Sequence, residues 1–138
     1  MLKARIIVSV LFLLVGVCQP LAAATVDGVR LWRAPDHTRL VFDVSGPVNH
    51  TVFDLDNPHR LVVDIDRTTL ETPFTGLDFS TSPITGIRSG VHEGHHLRIV
   101  LDLSAPVRPR SFTLVKNEQY GHRLVLDLYD RVIGEARS

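Results

Sequence analysis

The chain has 138 residues, with 15 basic and 15 acidic side chains, a formal charge of zero and a single cysteine. That length fits one domain. The even balance lacks the Lys/Arg surplus that nucleic acid or an anionic membrane requires, and one cysteine excludes a disulfide scaffold.

Residues 1–24 carry Lys3 and Arg5, then an apolar run over 6–17, then Ala22, Ala23 and Ala24. This is the layout of a cleavable secretory signal, with an apolar run too short to span a bilayer comfortably. Cys18 follows Val17, where lipoprotein signals carry a small residue, so a lipid anchor is not expected. Removing residues 1–24 takes away Lys3, Arg5 and the cysteine. The remaining 114 residues hold 13 basic and 15 acidic side chains. An exported domain of this size without disulfides is held by its core, and no membrane association is expected after cleavage.

From residue 26 the strand period dominates. Leu40, Phe42 and Val44 alternate with Val41, Asp43 and Ser45, and Leu61, Val63 and Ile65 alternate with Val62, Asp64 and Asp66. Ile99, Leu101 and Leu103, then Leu124, Leu126 and Leu128, repeat the pattern. One apolar face at period two means half-buried strands. Eight are expected, at about 26–33, 38–45, 49–55, 59–65, 85–91, 97–103, 109–115 and 122–129. Turn signals separate them, among them Gly46-Pro47, Asn57-Pro58, Gly94, Ala105-Pro106 and Gly121. No segment shows a helical apolar period over ten or more residues.

The strands form two copies of one unit, about 26–66 and 85–129. GVR at 28–30 recurs as GIR at 86–88, LVFDVSGPV at 40–48 as IVLDLSAPV at 99–107, and HRLVVDI at 59–65 as HRLVLDL at 122–128. The offset between copies grows from 58 to 59 to 63, so insertions fall between the matching blocks, where turns tolerate them. The expected fold is all-β: a pseudo-symmetric β-sandwich of two four-stranded sheets from a duplicated strand unit, each four-stranded half stacking its apolar face on the other. Residues 67–83 link the halves, with Phe74, Leu77 and Phe79 tacking the link down, and 131–138 form a tail.

Three features bear on chemistry. HEGHH, at 92–96, matches the H-E-x-x-H string of zinc proteases, which needs a helix to bring both histidines to one face. Gly94 between two strand patterns argues for a hairpin tip instead, as does the first copy, which has RAPDHT there. A solvated turn is expected, with no metal and no cofactor. Second, R-x-V-x-D occurs four times, as Arg39-Val41-Asp43, Arg60-Val62-Asp64, Arg98-Val100-Asp102 and Arg123-Val125-Asp127. By alternation these residues point away from the apolar face. Asp43, Asp64, Asp102 and Asp127 are expected to form an Arg–Asp ladder between neighbouring strands, while guanidinium groups left partly unpaired face carboxylate ligands. Third, Trp32 is the one tryptophan. Exposed, it would stack on a sugar ring; the expected role is a buried plug at the sandwich end, because aromatics mostly serve the core.

The export signal, the duplicated unit, RLVFDVSGPV, RIVLDLSAPV and the twin HRLV-D blocks resemble the AMIN domain, found at the N-terminus of some bacterial N-acetylmuramoyl-L-alanine amidases of the AmiC type and in type IV pilus secretins. The resemblance covers about residues 25–130. It implies a symmetric sandwich and a non-catalytic role in the periplasm: binding peptidoglycan and placing an attached or partner protein at the cell wall or division septum. Divisome or pilus-secretin proteins are the protein partners it suggests. It carries over to Arg39, Arg60, Arg98 and Arg123, with Trp32 beside them, as peptidoglycan-binding candidates. The amidases continue into a zinc catalytic domain opening with a motif of the type D-P-G-H-G-G, a string this sequence lacks, so no enzymatic activity is expected of it. Lys3 and Arg5 are not adjacent arginines, which favours Sec export. Two alternatives remain open: the front of an amidase whose catalytic domain is absent here, or an adaptor docking a partner strand on an open sheet edge.

Overall fold

The computed structural model describes residues 24–131. The expected signal segment, apart from Ala24, and the tail beyond Arg131 lie outside the described residues. Nine strands follow in order: β1 (Ala24–Arg33), β2 (His37–Val44), β3 (His50–Leu55), β4 (Arg60–Asp66), β5 (Thr68–Leu70), β6 (Ile84–His92), β7 (His96–Leu103), β8 (Val107–Leu114) and β9 (His122–Asp130). They build a five-stranded sheet in the order β5-β1-β2-β9-β8 and a four-stranded sheet in the order β3-β4-β7-β6, packed as a sandwich. The fold is all-β, as the alternation requires. The eight expected strands are present, and the fifth strand of the larger sheet is β5, which runs parallel to β1 with Ala24 opposite Thr68. Three residues are too few to display a period, so this strand is invisible to pattern reading.

Neither sheet is one copy of the repeat. Copy one supplies β1–β2 to the larger sheet and β3–β4 to the smaller; copy two supplies β6–β7 to the smaller and β8–β9 to the larger. The expectation that each four-stranded half forms its own sheet is therefore corrected. The physical cause lies at SGPV and SAPV. Pro47 and Pro106 have no N–H to continue a ladder, so the chain leaves one sheet and enters the other. Ser45 N donates to Thr25 O and Ser104 N to Pro83 O at matching corners, while Val48 packs on the core and Val107 is buried within it. The pseudo-twofold exchanges the two sheets, taking Phe42 opposite Leu124 on to Leu101 opposite Leu61.

The core lies between the sheets. Leu40, Phe42, Leu61, Ile65, Ile99, Leu101, Leu124 and Leu128 are all fully buried. They come from β2, β4, β7 and β9, the central strands. Each such side chain contributes about 1.5–3 kcal/mol on leaving water. Phe74 and Phe79 of the link pack against this core.

Candidate functional site

The pairing registers define the outer faces row by row. On the larger sheet, Arg30, Val41, Val125 and Phe112 form one row across β1, β2, β9 and β8, flanked by Trp32, Arg39, Asp127 and Arg110 on one side and Gly28, Asp43, Arg123 and Leu114 on the other. The smaller sheet repeats this with Arg88, Val100, Val62 and Phe53, flanked by Gly90, Arg98, Asp64 and Thr51 and by Gly86, Asp102, Arg60 and Leu55. Val41, Val62 and Val125 are buried although they point away from the core. The aromatic rings and arginine stems of these rows cover them: the Arg39 guanidinium lies 5.8 Å over Phe112, and that of Arg98 lies 5.6 Å over Phe53.

Four arginine–aspartate pairs tie the rows together, all two-pronged through Nε and Nη2. Arg39 donates to Asp127 at 2.8 and 2.9 Å, and Arg98 donates to Asp64 at 2.8 and 2.7 Å. Asp43 and Asp102 are held from the other side, by Arg30 at 3.0 and 2.7 Å and by Arg88 at 3.2 and 3.0 Å. The hydrogen bonds from Arg98 hold the Asp64 carboxyl below the usual carboxylate range, and those from Arg88 do the same for Asp102, helped by the charges of Arg88 and Arg60. Arg60 and Arg123 are placed differently: Arg60 Nε donates to Pro58 O and Arg123 Nε to Gly121 O, each at 3.2 Å. Among the described residues, neither has a carboxylate as hydrogen-bond partner.

Arg30 and Arg88 were missed as site residues, although the GVR and GIR repeats contain them. A β-bulge explains their position. The register shifts between Val26 and Gly28 and again between Ile84 and Gly86. The extra residue flips the alternation, so Val29 and Leu31 face inward while Gly28, Arg30 and Trp32 face outward. Trp32 is accordingly not a buried plug: it is 48% exposed on the outer face of the larger sheet, with the Arg30 guanidinium 5.3 Å over its ring.

The two outer faces share a backbone plan but differ in side chains. Where the larger sheet has Trp32 and Arg110, the smaller has Gly90 and Thr51. Tyr120 adds a second half-exposed aromatic ring to the larger face, 48% exposed like Trp32, with Arg123 at 5.0 Å and Arg30 at 5.7 Å from its ring. The Asn117 side chain sets it there by accepting from the Gln119 and Tyr120 backbone N–H groups. This turn belongs to the four-residue growth in offset between the copies, so the length mismatch was the available signal for Tyr120. In its paired rows the larger face carries Arg30, Arg39, Arg108, Arg110 and Arg123 against Asp43 and Asp127; the smaller balances Arg60, Arg88 and Arg98 against Asp64, Asp66 and Asp102. A cationic face bearing two half-exposed aromatic rings can grip carboxylates and stack flat, partly apolar surfaces such as sugar rings.

HEGHH is a hairpin. His92 ends β6, His96 opens β7 and the two pair directly across the strands, with Glu93 and Gly94 at φ of 52° and 76° in the tight loop between. The helical geometry of the protease motif is absent. His96 Nδ1 lies 3.1 Å from Asp66 on β4, and Asp66, His92, Glu93 and His96 border a cleft of about 360 Å³.

A family model described as the AMIN domain matches residues 28–128. Over 118 residues, the chain is 33% identical to an N-acetylmuramoyl-L-alanine amidase AmiC of Neisseria meningitidis serogroup B, covering 83% of this chain and 28% of that protein. Over 112 residues it is 31% identical to an N-acetylmuramoyl-L-alanine amidase AmiC of Escherichia coli O6:H1, covering 78% of this chain and 27% of that protein. The chain thus spans just over a quarter of the length of these curated relatives.

Proposed function

The chain belongs to the AMIN domain family, and from that premise we propose that it is a non-catalytic peptidoglycan-binding module of the bacterial periplasm that positions an attached or partner protein on the cell wall. The observation that carries this reading is the larger sheet's outer face, with Trp32 and Tyr120 half exposed around Arg30 and a surplus of arginine over aspartate. Peptidoglycan offers what such a face recognises: peptide-stem carboxylates for guanidinium forks and sugar rings for aromatic stacking. On this reading Trp32, Tyr120, Arg30, Arg39, Arg110 and Arg123 contact the wall. Arg60 and Arg98, on the opposite face, serve the sheet itself. The likeness to AmiC amidases supports the wall as ligand, with hydrolysis belonging to a partner or to a linked domain.

Cosedimentation with purified sacculi tests it. Trp32→Ala combined with Arg123→Ala is expected to lower the bound fraction several-fold while the far-UV circular dichroism and melting midpoint stay unchanged. Arg60→Ala is expected to leave binding intact. Full binding by the Trp32/Arg123 variant would contradict the proposal.

A further inference from the structure

The geometry points to a binding site for a divalent transition-metal cation of the zinc class at the tip of the β6–β7 hairpin, held by Asp66, His95 and His96. One ligand atom from each of these residues lies within 4.8 Å of the others. His96 Nδ1 is already 3.1 Å from Asp66 Oδ1, and the His95 and His96 rings are 4.1 Å apart between centroids. Two imidazoles and a carboxylate form the donor set that zinc accepts, at ligand distances of about 2.0–2.2 Å. Tetrahedral placement at those distances separates ligand atoms by about 3.4 Å. The closure from 4.8 Å falls within the side-chain rotation open to His95, which is exposed on the loop. Glu93 lies on the other side of the His96 ring, with Oε2 4.0 Å from Nε2, where it can orient the imidazole whose Nδ1 faces Asp66. The neighbouring guanidinium of Arg98 is engaged by Asp64 at 2.7 Å and leaves the Asp66 carboxylate to the cation.

The first copy of the repeat is an internal control. The offsets between the copies put Ala34, His37 and Tyr129 at the β1–β2 hairpin end where the β6–β7 hairpin end has His92, His96 and Asp66, each hairpin meeting a strand of the other copy. His37 there stacks on Tyr129 at 5.0 Å. His37 Nδ1 meets the carboxylate of its chain neighbour, Asp36, at 2.8 Å, and the strand alongside offers it Tyr129 in place of an acid, so the same hairpin end closes on the same backbone plan without a carboxylate from the neighbouring strand and folding does not demand the Asp66–His96 pair. Among the described residues, three such donors converge at the β6–β7 hairpin end and not at the β1–β2 end. The bordering cleft, lined in part by Asp66 and His96, leaves the cluster open to ions from solvent.

Isothermal titration of the untagged chain with zinc chloride, paired with the visible absorption of a cobalt(II) titration, tests the site. The expected result is saturable uptake of one equivalent with a tetrahedral cobalt spectrum. His95→Ala and Asp66→Asn are each expected to weaken binding by about tenfold or more, with circular dichroism unchanged, and His37→Ala to have no effect. His95 is exposed, so its variant remains informative if Asp66→Asn fails to fold. Absence of saturable uptake, uptake unaltered in His95→Ala, or uptake lost in His37→Ala would each overturn the assignment.

Discussion

Asp127 and Asp102 occupy different environments under similar two-pronged bonding. The Asp127 side chain is 1% exposed and held by Arg39; Asp102 is 36% exposed and held by Arg88, itself 59% exposed. A buried carboxylate that loses its donor keeps its desolvation penalty, whereas an exposed one regains water. Arg39→Ala is therefore expected to destabilise the fold by about 1–3 kcal/mol in urea unfolding, and Arg88→Ala to leave the transition midpoint unmoved. Equal effects would show that Asp127 is as wet as Asp102. At this scale the sequence was half legible. The R-x-V-x-D string marks the outward charged positions, but Asp43, Asp102 and Asp127 each stand beside arginines on two neighbouring strands. Register and burial decide the partner: Asp43 goes to Arg30 on β1 and Asp127 to Arg39 on β2. Spacing along one strand carries no information about that choice.

The β-bulges of β1 and β6 place an arginine two residues beyond a glycine, and each glycine faces the aspartate that the arginine holds. A Cβ built at Gly28 would stand 3.0 Å from Asp43 Oδ2, and one at Gly86 would stand 3.5 Å from Asp102 Oδ2. The first contact is tight and the second is ordinary van der Waals contact. Gly28→Ala is expected to push Asp43 off the Arg30 fork and lower the melting temperature. Gly86→Ala is expected to fold with its midpoint unchanged or slightly raised, because alanine restricts the unfolded chain more than glycine does. Thermal melts of both variants check this, and a midpoint that falls equally in the two would contradict it. Strands were the readable elements, since alternation survives in any window of five residues or more. The bulges, the three-residue β5 and the Pro47 and Pro106 corners were not. Each is a local departure from a period, and a departure reads as noise until a partner strand shows its register.

Across the whole molecule the duplication fixes what can fold alone. Each sheet joins a hairpin from one copy to a hairpin from the other, through β2 with β9 and β4 with β7. A single copy exposes the apolar faces of two unpaired hairpins and has no sandwich to bury them in. Fragments 24–66 and 84–131 are thus expected to be unfolded separately by circular dichroism and to regain strand signal when mixed; an independently folded single copy would refute this topology. The same exchange makes the two outer faces backbone equivalents, so they differ through side chains: Trp32 against Gly90, Arg110 against Thr51, and a longer turn delivering Tyr120. A backbone amide NMR titration of the chain with soluble peptidoglycan fragments tests most directly whether the larger sheet's outer face binds the wall. Shift changes are expected to cluster on β1, β2, β8, β9 and the Tyr120 turn, with the β3-β4-β7-β6 face silent. Changes centred on that opposite face, or none at saturating fragment, would contradict it.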